Sequence, residues 1–184
     1  MPLEHAILGF LTYQPLSGYD LKKFFDESVR HFWSTTQSQI YRTLTRMAET
    51  GWVDMERIEQ DDRPDRKVYE ITDAGQDELL QWLTTPPNQT AVRNLWLARV
   101  FFAHPLSDDK IFALFEEHAD KLRQKLELFR NGVQEVVKRR FLEVGSKRSR
   151  RLWQFTLDYG IAHLEWELQW VENALKDLRN LPSD

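Results

Sequence analysis

The stretch "STTQSQIYRTLTRMAETGWV", residues 34–53, decides the fold. Ile40, Leu44 and Met47 fall at i, i+4 and i+7, a single apolar stripe along a helix. Gly51 stands where a C-terminal glycine is expected, so the helix is read as 35–50. Its first turn is different in kind. Ser34, Thr35, Thr36, Gln37, Ser38 and Gln39 crowd together where one capping residue would suffice. A short helix that spends so many hydrogen-bonding side chains on one end is offering that end to a polar surface.

The flanks supply the frame. Upstream, a helix over about 3–14 carries Leu3, Ala6, Ile7, Phe10 and Leu11 on one face and stops at "QPLSG". Ser17 then caps "GYDLKKFFDES", whose buried side offers Leu21, Phe24 and Phe25. Downstream, "WVDMERIEQ" and "RKVYEIT" alternate apolar and polar residues as strands do, joined by the polar turn "DDRPD". Thr72 caps a fourth helix, "DAGQDELLQWL", which ends before Pro86-Pro87, the expected domain boundary. Three helices followed by a hairpin make a winged helix-turn-helix, in which the third helix enters the major groove by its N-terminal residues. Ser, Thr and Gln at that end can bond phosphates and bases, and the helix N-terminus itself favours phosphate. A Ser/Thr cluster also begins many ordinary helices. Arg63, Arg66 and Lys67 at the tip of the hairpin tilt the reading toward DNA.

The second half is helical. "RNLWLARVFFAH" is apolar nearly all round and is expected to be buried on several sides. Ser107 is expected to cap a long helix reaching about Arg140, with Ile111, Phe115, Leu122, Leu126, Phe129, Val133 and Val136 in line. In the last helix Leu157, Ile161, Leu164, Leu168, Val171, Leu175 and Leu178 are spaced alternately by four and three, an unbroken heptad seam. Such a seam needs a partner. An antiparallel hairpin within the chain would satisfy part of it. A homodimer is expected as well, because Trp153, Trp166 and Trp170 lie off the seam and also need cover. Dimerisation would set two recognition helices about 34 Å, or a multiple, apart. The basic stretch 138–151, "KRRFLEVGSKRSRR", reads as a solvated loop more readily than as a DNA contact.

The whole is therefore expected to be mainly α: an N-terminal winged helix-turn-helix DNA-binding domain, residues 1–87, and an α-helical dimerisation domain, residues 88–184, that also has room for an effector. Composition sets the limits. Of 184 residues, 41% are hydrophobic and 29% charged, and the absence of Cys excludes disulfides, thiol catalysis and Cys-based zinc sites. Without a signal-peptide pattern or an apolar run of membrane-spanning length, the chain reads as cytoplasmic, with no membrane partner. Net charge is −4, and residues 1–90 carry 9 basic against 15 acidic side chains. DNA binding must then rest on local patches, not on bulk charge.

The segments "ILGFLTYQPLSGYDLKKFF", "HFWSTTQSQIYRTLTRMAETGWV" and "DRPDRKVYEITDAGQDELLQWL" closely resemble the PadR family of bacterial transcriptional regulators, and "LARVFFAHPLSDDKIFALFEEH" with "AHLEWELQWVENALKDL" resembles the C-terminal half of its longer members. The resemblance implies a dimeric winged-helix repressor of operator DNA, released by a small molecule such as a phenolic acid. It places Gln39, Tyr41 and Arg42 on the recognition helix and Arg63, Arg66 and Lys67 in the basic wing; Thr36 and Gln37, in the same polar first turn, are also expected to contact DNA. Asp61, Asp62 and Asp65 depart from that pattern and dilute the wing's potential. Gln39 is suited to adenine by paired hydrogen bonds, and Tyr41 to phosphate. A small aromatic acid is expected to bind between the two halves, between aromatics that stand near cations. These are Trp96 with Arg99, the anchor for the carboxylate, and Tyr159, His163 and Trp166.

An enzyme is the weaker alternative, since no Gly-rich phosphate loop, H-E-x-x-H or Cys nucleophile is present. His163 and Glu167, one turn apart, with Glu116-Glu117-His118 on another helix, are the best candidates for such chemistry, and no cofactor or metal is called for. A winged-helix protein–protein adaptor is the other alternative. It would have no use for the basic wing beside a polar recognition helix.

Overall fold

The computed structural model describes residues 2–29, 33–59, 66–86, 94–133 and 145–180. The chain divides into two compact units, residues 1–87 with 136–150 and residues 88–135 with 151–184. Arg63, Val136, the wing's three aspartates and the stretch 138–144, all singled out by the sequence, lie outside the described residues.

In the first unit α1 spans Pro2–Leu11, β1 Leu16–Ser17, α2 Gly18–Phe24, α3 Gln37–Glu49, β2 Val53–Ile58, β3 Arg66–Ile71 and α4 Asp73–Thr84. α1 ends at Leu11, short of the 3–14 that its apolar pattern suggests, and Thr12 and Tyr13 turn the chain toward Pro15. α2 runs on into a wider π-helical turn, Phe25–Val29. Both α2 and α3 open with a reciprocal capping box, Ser17 with Asp20 and Thr36 with Gln39. Gly51, at φ +73°, closes α3 in the left-handed conformation that glycine adopts without strain.

The sheet has three strands, ordered β1-β3-β2 and antiparallel throughout. The hairpin of β2 and β3 runs from Val53↔Ile71 to Ile58↔Arg66. The short strand β1, unexpected from sequence, pairs Leu16 with Tyr69 and Ser17 with Val68, fastening the start of α2 to the root of the wing. α1 packs against α2, α3, α4 and β3. Ile7, Leu8, Leu21, Phe25, Ile40, Leu44, Met47 and Val53 are fully buried there. Each large apolar side chain so buried is worth about 1.5–3 kcal/mol, so the stripe of α3 holds that helix firmly by one face.

In the second unit α5 spans Leu95–Phe101, α6 Asp108–Leu128 with a π-helical turn Phe129–Val133, and α7 Lys147–Arg179. Ser107 takes the cap position of α6 but makes no side-chain cap bond, while Asp108 and Asp109 put negative charge in its first turn. Phe115, Ala119, Leu122, Leu126 and Phe129 form one core with Leu157, Leu164, Val171 and Leu175, and Ile161, Leu168 and Leu178 pack against it. Ion pairs lace the same two helices: Glu116 with Arg179, Arg123 with Glu172 and Arg130 with Glu165. One partner's number rises as the other's falls, so α6 and α7 run antiparallel.

One expectation is sharpened and one changes. The heptad seam of α7 packs on α6 of the same chain, as the expected antiparallel hairpin would: Leu157, Leu164, Val171 and Leu175 are buried, and Ile161, Leu168 and Leu178, partly buried, pack against them. α5, expected to be buried on several sides, buries none of its residues fully. Trp96 and Val100 pack against the core, whereas Leu95 is 79% and Phe101 80% exposed, because a two-turn helix with one neighbouring layer can cover only one side. Among the described residues no helix is long and apolar enough to cross a membrane.

Candidate nucleic-acid interface

The outward end of α3 is built by its own inward stripe. With Ile40, Leu44 and Met47 buried, Thr36, Gln37, Ser38, Gln39, Tyr41 and Arg42 are exposed. Gln37 and Arg42 make no hydrogen bond or ion pair among the described residues, which leaves an amide and a guanidinium unengaged on one surface.

Gln39, besides its expected role, is engaged in the capping of α3. Its Oε1 accepts from the Thr36 backbone N–H at 2.9 Å, from Thr36 Oγ1 at 3.1 Å and from Thr35 Oγ1 at 3.3 Å, while Thr36 Oγ1 accepts from Gln39 N at 3.3 Å. Reading adenine by paired hydrogen bonds needs that oxygen as an acceptor and the amide nitrogen as a donor. The oxygen is already fully used in holding the helix start. Thr36 likewise serves as the cap.

Tyr41 owes its position to a glycine. A Cβ on Gly18 would stand 2.5 Å from Cε1 of the Tyr41 ring, so only glycine lets the ring lie against the start of α2. Burial pushes the Tyr69 phenol above its usual range, and the nearby Tyr41 phenol adds to the rise. In the wing, Lys67 is exposed with no partner among the described residues. Arg66 is not free: its Nη2 donates to Asp20 Oδ2 at 2.5 Å. That carboxylate also accepts from Ser17 N at 3.1 Å and Ser17 Oγ at 2.6 Å. Burial raises the Asp20 carboxyl, but the bonds from Ser17 and Arg66 outweigh it and hold the group below the usual carboxylate range. Asp20 carried no signal in the sequence beyond being the third residue of a capping box.

The residues expected to bind an effector separate into an inner and an outer set. Trp96 is stacked on His118, with centroids 3.9 Å apart and planes at 12°, and meets Phe115 and Trp170 edge-on. Its indole Nε1 is buried without a hydrogen-bond partner among the described residues. His118 Nε2 lies 3.0 Å from Glu167 Oε1, and His163 Nε2 3.9 Å from Glu167 Oε2, so the pair His163–Glu167 does meet His118. No group of three His, Asp or Glu among the described residues is arranged to hold a metal ion. Tyr159, His163 and Trp166 form an exposed ladder of rings at 6.1 and 6.2 Å along α7. Arg99 is exposed on α5 and makes no ion pair among the described residues. His118, Glu167 and Trp170 complete the inner set. They were not among the expected effector residues, since nothing in the spacing of two distant helices marks which rings will face each other.

A winged helix with a polar, partly unengaged recognition end, followed by a helical half, defines a winged-helix regulator. Residues 7–81 match the PadR-like family of transcriptional regulators, and residues 92–179 match the virulence activator alpha C-terminal domain. A probable transcriptional regulator of Mycobacterium tuberculosis is 47% identical over 90 residues, 49% of this chain and 48% of that protein. The negative transcriptional regulator PadR of Bacillus subtilis is 34% identical over 125 residues, 67% of this chain and 69% of that one. The crystal structure of B. subtilis PadR in complex with operator DNA matches with a TM-score of 0.84 at 26% identity, covering 97% of this chain and 99% of that one. The same regulator in complex with p-coumaric acid matches with a TM-score of 0.78 over equal coverage. The chain belongs to the PadR-like family of transcriptional regulators.

Proposed function

We propose that this protein is a cytoplasmic repressor that binds operator DNA as a homodimer and is released by a small aromatic acid. The carrying observation is the outward end of α3, with Gln37, Tyr41 and Arg42 facing solvent on a helix pinned by its opposite face. Residues 1–87 are the DNA-binding part, with Lys67, Arg63 and Arg66 supporting from the wing, and residues 88–184 serve dimerisation and effector response. The operator complex of B. subtilis PadR supports the first assignment and its p-coumaric acid complex the second. With the α7 seam spent inside the chain, the dimer surface is assigned to the outer aromatics of α5 and α7, Phe101, Phe155 and Trp166 among them. For the effector, Trp96 offers an apolar wall, Arg99, three residues on along α5, supplies charge, and Tyr159 and His163 supply rings on α7.

The test is a mobility shift on the DNA upstream of the protein's own gene, against random duplex, at rising salt and then with p-coumaric acid. Retention of the upstream fragment over random DNA supports the reading, and its release by the acid supports the effector. Equal binding to both duplexes overturns sequence-specific regulation. Release by no phenolic acid discards the effector class alone.

A further inference from the structure

Resting on that reading, we propose that Asp20 is a specificity-determining positioning residue: it fixes the Arg66 guanidinium at the outer end of the β2–β3 ladder so that Arg66 meets DNA as an oriented hydrogen-bond donor and not as a loose charge.

The corner Ser17–Asp20 touches both DNA-facing elements. β1 pairs Ser17 with Val68, two residues along β3 from Arg66 and on the same face of the strand. Gly18 seats the Tyr41 ring of α3. Asp20 holds Arg66. Recognition helix and wing are thus referred to one short segment, which sets how far apart the two sets of donors stand. A carboxylate already fixed by two bonds from Ser17 is a rigid support. It engages one nitrogen of Arg66, whose guanidinium carries five donors, so donors remain for DNA. Arg66 is about half exposed and Asp20 about a quarter, so the pair itself adds little to folding stability. Its effect lies in orientation. The pair is also close to neutral in sum, so Arg66 releases less counterion on binding than a free arginine would.

Those two consequences pull in opposite directions, which makes the proposal testable. Asp20→Asn keeps an acceptor for Ser17 and removes the charge. Operator and scrambled duplexes are titrated by fluorescence anisotropy over a range of salt, with wild type, Asp20→Asn, Arg66→Lys and Asp20→Asn/Arg66→Lys. The expected result for Asp20→Asn is operator affinity down about tenfold, the strength of one lost charge-assisted bond. Affinity for scrambled DNA should rise, and the salt slope should steepen by about one. Arg66→Lys keeps the charge without the planar fork and should lose the same discrimination, with the double variant losing no more. Equal strengthening on both duplexes would show that Asp20 merely competes with DNA for Arg66. Unchanged discrimination in both single variants would show the pair to be idle, and a parallel loss on both duplexes with a lowered Tm would show a purely structural role; each overturns the proposal. A wild-type chain that does not distinguish operator from scrambled DNA fails the repressor reading itself, and that arm is read first.

Discussion

The two units solve the same packing problem to different degrees. The first wraps four helices around a three-stranded sheet and closes its core, with Ile7, Leu8, Leu21, Ile40, Leu44 and Met47 at zero exposure. The second has one antiparallel pair of long helices and a two-turn helix. It closes a single line of contact and leaves Phe101, Phe102, Tyr159 and Trp166 more than three-fifths exposed. Phe101 and Phe102 meet edge-on, and Tyr159 and Trp166 flank His163 in a ladder of rings along α7. The first unit also exposes Leu80 and Leu83 on α4, but the outward end of α3 is polar, because its apolar stripe is spent on the core.

The comparison breaks most visibly at core positions. Leu44→Ala in the first unit and Leu164→Ala in the second should each cost about 2–5 kcal/mol in urea unfolding. Because α6 fills the seam, the loss at Leu164 should not depend on protein concentration. A loss that fades at high concentration would return the seam to a dimer interface. Next in size, Phe155→Ser/Trp166→Ser should leave helicity unchanged and cost about 2–4 kcal/mol of association, read as a shift toward monomer in sedimentation. Comparable self-association of the double variant would remove the outer face of α7 from the interface.

Smaller effects sharpen the polar side of the comparison. Gln39→Glu preserves the capping box, so stability should stay within about 0.5 kcal/mol, while the new charge opposing phosphate should lower operator affinity about tenfold. Gly18→Ala drives a methyl into the Tyr41 ring, which is half exposed and can swing aside. Stability should barely move, and operator affinity should fall by about 1 kcal/mol. The smallest effect is on acid stability. The Asp20 carboxyl is held below its ordinary value of 3.8, so its contribution is complete above that pH and is lost as pH falls through the lower, folded-state value. Asp20→Asn should therefore lower stability slightly at neutral pH and flatten the decline below about pH 3.8, where variant and wild type converge.

Local chemistry was legible and distant pairing was not. The stripe Ile40–Leu44–Met47, the glycine at 51 and the alternation through β2 and β3 act within a few residues, and each is where its pattern puts it. β1 is two residues long and exists only because β3 offers an edge more than fifty positions away, so no run of propensity announces it. The heptads of α7 showed that a partner helix was needed, and nothing in them distinguishes α6 of the same chain from α7 of another. Among the site residues, Gln39 was recognised as polar and outward, but the capping box engages its oxygen before any base can. Asp20 and Arg66 are separated by 46 positions and meet only when β1 is in place.

The capping boxes of α2 and α3 restrict how such a regulator can drift toward a new operator. Position 39 must bond back to Thr36 without placing a charge against phosphate, which leaves glutamine and little else, and position 36 is tied to it by the same two bonds. Variation that retargets the protein is channelled to Gln37, Ser38 and Arg42, which bond no side chain among the described residues. Lineages carrying this architecture should therefore diverge in a three-residue alphabet set on an invariant Thr-x-x-Gln frame, changing what they read while keeping the hinge on which the reading head is mounted.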